Sequence, residues 1–450
     1  MKELLLATLL LATTSTLANQ GNIVKEGYFV NDSKRDFLKT IHAQKRFTVD
    51  HPNKRGYEVY GPKDLGKWLK ENSPFSFSSL RLEEKEKSLA TYPTPEEIEL
   101  KLKKLAKDNP SIFKLFSIGK TERGRELWMM KVSDNVEVDE VEPEFKYVAN
   151  MHGDEIVGRE MMVSLLEELA KNYKSSDLET TTLINNTEIY IMPSLNPDGA
   201  ASRRRGNSNW RDLNRDFPDV VRDGQIEDTH SHSIFDNESR DRQNETVAMM
   251  NFQKKRHFAL SANFHGGTEV VNYPWDTTGD DFPYKDLVVE LSREYAVKIP
   301  SMRDNWEFVD GIVNGYQWYE INGGMQDWSY HWHNDLQVTI ELSHSKWPTY
   351  DLVQSYYDKN RDSLFDYMKS IHQGFGIKFT KDEKFKVEIF KKNESSFTKI
   401  DTISKNGREF YKVLAAGNYK VKVTTSKLKK EIDLEVKKSS ISPNGNYISL

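Results

Sequence analysis

Two histidines and a carboxylate are the side chains of this 450-residue chain best placed for chemistry. His152 and Glu155 stand three apart in His152-Gly-Asp-Glu155, so a short turn can offer one imidazole and one carboxylate to a single metal ion. A distant histidine, His265 of His265-Gly-Gly267, completes a three-ligand set. Three protein ligands leave a fourth position for water, the arrangement of a catalytic zinc site rather than a structural one.

Such groups must be delivered by rigid elements. Phe145–Ala149 has the composition of a strand that ends just before His152, and Met161, Met162, Leu165, Leu166 and Leu169 then recur at helical spacing. Glu188–Met192, Phe258–Asn263 and Leu336–Ile340 are further strand candidates, each stopping short of a polar motif. That alternation predicts an α/β sheet with its site beyond the carboxyl ends of the strands.

The stretches Asn150–Glu160, Pro193–Gly199, Asp212–Asp219, Asn263–Gly267 and Gly323–Trp328, in this order, resemble the zinc metallocarboxypeptidases, and most closely the regulatory group that includes carboxypeptidases D, E and N. The likeness runs from about Tyr92 to the end. It implies a mixed eight-stranded sheet flanked by helices, followed by a transthyretin-like β-sandwich, and one zinc ion per chain held by His152, Glu155 and His265.

The resemblance also carries roles to individual positions. Glu341, in Thr339-Ile-Glu-Leu-Ser343, matches the general acid/base, and Asp212 the carboxylate that orients a ligand histidine. Arg205, nine residues before Asn214, matches the cation that stabilises the developing oxyanion, with Arg203 and Arg204 as neighbouring alternatives. Asn214 and Arg215 match the clamp for a terminal carboxylate, which a planar guanidinium can grip with two hydrogen bonds. Tyr319, four residues before Gly323, matches a mobile tyrosine over the bound residue, while Tyr316 and Tyr330 are expected to pack in the fold. Gln326 falls at the pocket floor. Asp276, eleven residues after His265, matches the acidic residue that recognises C-terminal Arg or Lys.

The remainder of the chain bounds these readings. Its net charge of -5 is small, so nucleic acid is not implied as a partner. Residues 374–450 hold 17 Lys+Arg against 9 Asp+Glu, a basic surface that could meet an anionic polymer. There is no cysteine, which excludes disulfides and thiol chemistry. Residues 1–18 have the apolar run and small-residue end of a secretory signal, implying a periplasmic or secreted bacterial protein with no membrane span. Residues 19–91 read as a polar, irregular extension or removable pro-segment, with turns at Asp50–Gly56 and Asn72–Ser79. Residues 92–373 form the catalytic domain, and 374–450 a small antiparallel β-sandwich with turns at Asn406-Gly407 and Gly417-Asn418. The expected partner is a peptide or protein with a free C-terminus, acted on by a monomer that prefers C-terminal Lys or Arg. Release of diaminopimelate-like residues from envelope peptides, or an inactive binding module, are the alternatives.

Overall fold

Residues 23–80 are not irregular. In the computed structural model of the protein, which describes residues 23–80, 92–221, 242–438, 441 and 446–450, they form an antiparallel sheet of β1 (Glu26–Val30), β2 (Thr48–Asn53), β3 (Gly56–Gly61) and β4 (Phe77–Ser79) in the order β2-β3-β1-β4. The segment 1–18 lies outside the described residues. Val30, Ile41, Val49, Val59, Leu65 and Leu69 give this unit its own core, closed by the helices Leu38–His42 and Leu65–Asn72. The supposed turn Asp50–Gly56 is mostly strand, with only the tip of the β2-β3 hairpin turning. The pairing slips between Asp50 and Asn53, and His51 has φ +44, so the strand bulges there. A bulge breaks the strict alternation of side chains and re-aims them.

The second unit opens on a capped helix. Thr94 caps the helix Pro95–Asp108, its hydroxyl accepting the Glu97 N–H while the Glu97 carboxylate accepts the Thr94 N–H at 2.7 Å. Eight strands follow: β5 (Phe113–Lys120), β6 (Glu126–Val132), β7 (Glu144–Ala149), β8 (Glu188–Met192), β9 (Phe258–His265), β10 (Glu269–Tyr273), β11 (Ile312–Asn314) and β12 (Leu336–Leu342). They form one mixed sheet, ordered β11-β10-β12-β9-β7-β8-β6-β5. Alternate residues of β7 and β8 enter two different cores, as the strand period of two requires. Phe145, Tyr147, Ile189 and Ile191 join the helices Val157–Lys174 and Val353–Lys369 on one face, while Val148, Tyr190 and Met192 join Met249, Met250 and Trp328 on the other. Strands β9 and β12 run further than their apolar stretches imply, taking in His265 and Glu341 themselves.

After Gln373 comes the expected all-β unit: β13 (Gly374–Lys392), β14 (Phe397–Val413), β15 (Gly417–Thr425), β16 (Lys429–Val436) and β17 (Tyr447–Ser449). The pair Asn406-Gly407 is not a turn but lies inside β14. Register breaks at Lys378/Glu383 and Ile389/Phe390 let the long β13–β14 ribbon bend. Phe375, Ile377, Phe410 and Tyr419 share one continuous core with Leu287, Tyr330 and Leu364 of the catalytic unit, and the Tyr284 hydroxyl donates to Asp401 across the junction at 2.5 Å. Among the described residues no helix is long and apolar enough to cross a membrane. A chain ending at Gln373 uncovers this shared core, so it should be recovered mainly as aggregate and should melt at lower temperature.

Candidate active site

The parallel pairing of β9 and β12 sets His265 directly beside Glu341. Neighbouring positions on one face of a sheet bring a metal-ligating imidazole and a carboxylate together without a loop between them. His152 arrives from the turn after β7, which is held from both sides. The Asn150 side-chain amide donates to the carbonyl of His152 at 2.9 Å, and that of Asn196 donates to the carbonyl of Met151 at 3.0 Å.

The three proposed ligands converge. His152 Nδ1, Glu155 Oε2 and His265 Nδ1 stand 2.9–3.0 Å from one another, all buried. Two ring nitrogens facing each other beside a carboxylate need a shared cation or proton between their lone pairs, so this donor set suits a small divalent ion such as zinc. The other nitrogen of His152 faces Asp212 Oδ1 at 3.0 Å. That contact places a proton on Nε2 and leaves Nδ1 as the ligand atom.

Asp212 does three things at once. Besides His152, it accepts the backbone N–H of Asn214 at 2.9 Å and the Nε–H of Arg205 at 2.9 Å. Burial alone would raise its pKa, but the Arg205 and His152 charges outweigh burial and hold the carboxyl well below its usual range. Of the three consecutive arginines, Arg205 alone enters the site, whereas Arg203 stacks over Trp347 and Arg204 over Trp210. Asn214 is buried and its side-chain oxygen accepts the Met325 N–H at 3.0 Å, which leaves its amide N–H groups free to donate. Arg215, Tyr319, Asp276 and Glu341 line the same cavity. Glu341 Oε2 is buried without a protein hydrogen bond. Gln326 contacts Asp276 from behind. Tyr330 packs in the core, but Tyr316 is 42% exposed rather than packed.

Some contributors were missed. The β2 bulge carries Asp50 and His51 into this cavity: Asp50 lies 2.5 Å from Arg205 Nη1 and accepts the Tyr319 hydroxyl at 2.6 Å. His51 Nε2 is 3.5 Å from Glu341, and its ring fills the space a Cβ on Gly267, at φ +140, would enter at 2.5 Å. Lys346 bridges the two units, 2.9 Å from Glu58 and 3.7 Å from Glu155. Asp327 accepts the N–H groups of both Asp276 and Thr277. None of these has a local sequence signal, because each acts through a partner far away in the chain.

A mixed α/β sheet with a metal-ligand triad, a buried arginine and a carboxylate at its strand ends defines a metal-dependent class of protein. The zinc carboxypeptidase family model matches residues 98–363, and the chain belongs to that family. It is 41% identical over 303 residues to human carboxypeptidase D, covering 62% of this chain but only 21% of that protein, so it spans about a fifth of that relative's length. It is 40% identical to mouse carboxypeptidase M over 63% of this chain and 66% of that one. It is 33% identical to the human carboxypeptidase N catalytic chain over 72% and 78% respectively. In fold it resembles carboxypeptidase A from Helicoverpa armigera, with TM-score 0.59 and 20% identity over 77% of this chain and 96% of that one. Thrombin activatable fibrinolysis inhibitor is similar at TM-score 0.57 and 16% identity, over 77% and 98%.

If the triad is the metal site, the purified full chain should take up one zinc ion. Replacing His265 with alanine should abolish that uptake, read by metal analysis, without unfolding the sheet.

Proposed function

We propose that the protein is a zinc-dependent exopeptidase that removes C-terminal Lys or Arg from peptides, and that its N-terminal unit holds it closed. The observation that carries the specificity is a surplus of buried acceptors. Asp276 Oδ1 accepts the side-chain amides of Asn272 at 3.1 Å and Gln326 at 3.0 Å. Because a carboxylate can only accept, both amides must turn their NH2 groups towards it, and their own oxygens are left buried with no protein donor. Among the described residues, neither Asp276 nor Asp327 has an ion pair. A pocket wall of unmatched acceptors and carboxylate charge suits an ammonium or guanidinium and leaves a neutral side chain poorly matched.

In this reading Asn214 and Arg215 grip the terminal carboxylate, which makes the cut an exopeptidase one. Arg205 lies where a cation would offset the charge growing on the scissile carbonyl oxygen. Zinc, when bound, supplies Lewis acidity and a lowered pKa for water. Glu341 takes the proton from the attacking water and returns it to the leaving amine. Tyr319 closes over the substrate once Asp50 releases it.

Four of the groups in that sequence, Arg205, Arg215, Tyr319 and Glu341, meet β2. Asp50 holds Arg205 and Tyr319, His51 stands against Glu341, and the Val49 carbonyl accepts from Arg215 at 3.4 Å. Substrate and hairpin therefore compete. Deleting one partner of a buried charge pair costs about 3–5 kcal/mol, so Asp50→Ala in the full chain should loosen the docked unit and raise kcat/KM on a small peptide by at least about tenfold. Unchanged activity would sink the closed-state reading and leave the peptidase reading intact.

Burial pushes Asp276 up to about 7, against the opposing pull of Asn272, Arg215 and Gln326. Below that pH the free pocket is protonated and loses its charge. The ratio of kcat/KM for C-terminal Lys over C-terminal Phe should therefore rise with pH and level off above about 7. In Asp276→Ala the ratio should be low and flat. A wild-type preference for Phe would overturn the basic-residue assignment.

A further inference from the structure

Asp276 is held from its backbone as well as from its side chain. The carboxylate of Asp327 accepts the Asp276 N–H at 3.0 Å on Oδ1 and 2.9 Å on Oδ2, and the Thr277 N–H at 2.9 Å. Asp327 is 3% exposed and sits in the first turn of the helix Met325–His333, where the helix dipole favours an anion. The same turn supplies Gln326, whose amide holds Asp276 Oδ1. On the far side the Asp276 carbonyl accepts the Ile321 N–H at 3.0 Å, and Gly315 lies so close that a Cβ there would fall 1.7 Å from Oδ1. Oδ1 is thus fully committed. Among the described residues no hydrogen bond reaches Oδ2, which leaves that oxygen to the cavity that Asp276 lines with Asn214 and Arg215.

We propose that Asp327 is a positioning residue for substrate specificity: it fixes the main chain of Asp276 and Thr277 so that one oxygen of Asp276 faces the cationic side chain. Two buried carboxylates joined through a backbone N–H are a costly pair to keep ionised. Burial, and then the nearby charge of Asp276, push the Asp327 carboxyl well above its ordinary range. Such a pair is relieved by a cation arriving in the pocket, and not by a neutral side chain. The role rests on the basic-residue reading given above, with Asp327 acting through Asp276 and touching neither metal nor substrate.

The test uses the full chain and peptides that differ only in their last residue. Taking the ratio of rates for C-terminal Lys and C-terminal Phe cancels whatever fraction of the chain is open. Asp327→Asn keeps the shape but turns an NH2 group towards the N–H donors of Asp276 and Thr277. It should lower kcat/KM for Lys and Arg by about tenfold to a hundredfold, mostly through KM, while C-terminal Phe is cleaved as before. Asp327→Ser, small and able to accept one N–H, is measured beside it so that the ratio can be read from whichever variant folds. In the Asp276→Asn background the second substitution should change the ratio little, because the oxygen being aimed is gone. Equal losses on Lys and Phe substrates would make Asp327 a structural brace and overturn the proposal. So would an unchanged ratio in a chain where Asp276→Asn abolishes the Lys preference, and that result would leave the basic-residue reading standing. A wild-type chain without any Lys or Arg preference would overturn both.

Discussion

A guanidinium that cannot shed its proton must be buried with carboxylates, and the architecture of this site follows from how Arg205 meets that requirement. The side chain is 2% exposed and faces Asp212, Glu155 and Asp50. Asp212 is the pivotal partner because it also accepts from His152 and from the Asn214 backbone. One carboxylate therefore ties Arg205, His152 and the Asn214 backbone into a single set. Loops that are far apart in the chain have to assemble before any of those charges can be tolerated in the interior, so the site is organised before substrate arrives.

The same requirement explains the character of the N-terminal lock. With residues 23–80 docked, Asp50 and Glu58 add carboxylates against Arg205 and Lys346 in a region with little solvent. Separating an intact buried pair into water returns hydration to both partners, so the whole unit can leave at far lower cost than truncation of one partner implies. The contacts are accordingly selective more than strong. On the proposed reading, groups that a substrate would engage, Arg205, Arg215, Tyr319 and Glu341, are ones the hairpin engages.

How far the sequence could be read follows from how local each feature is. His152 and Glu155 share one turn, and apolar runs lead to His265 and Glu341, so these positions were legible together with the sheet that carries them, although β9 and β12 extend through both residues. Arg205 could not be told from Arg203 and Arg204 by type. Only Trp347 and Trp210, which stack on the other two, separate them. The strands around Asp50 were hidden because their turn-forming residues lie within β2, where tertiary packing overrides local preference and a bulge absorbs the mismatch. Lys346 and Asp327 carry no signal of their own, since a lone lysine or aspartate acquires meaning only from the distant groups it faces.

Specificity and catalysis are supported by opposite arrangements in this cavity. Around Arg205 and Asp212 opposite charges meet, with Arg205 Nε donating to Asp212 and Nη1 facing Asp50 and Glu155, which braces that half. Around Asp276 the balance is reversed, with the carbonyl oxygens of Asn272 and Gln326 buried and unmatched beside a carboxylate. Leaving a buried polar group unpaired costs about 1–3 kcal/mol, and a neutral side chain leaves all of these unpaired while a cation with several N–H donors can satisfy them together. On the proposed basic-residue reading, discrimination would come less from attraction by one charge than from the hydrogen bonds a wrong side chain cannot make, so the neighbours that orient Asp276 would matter as much as Asp276 itself.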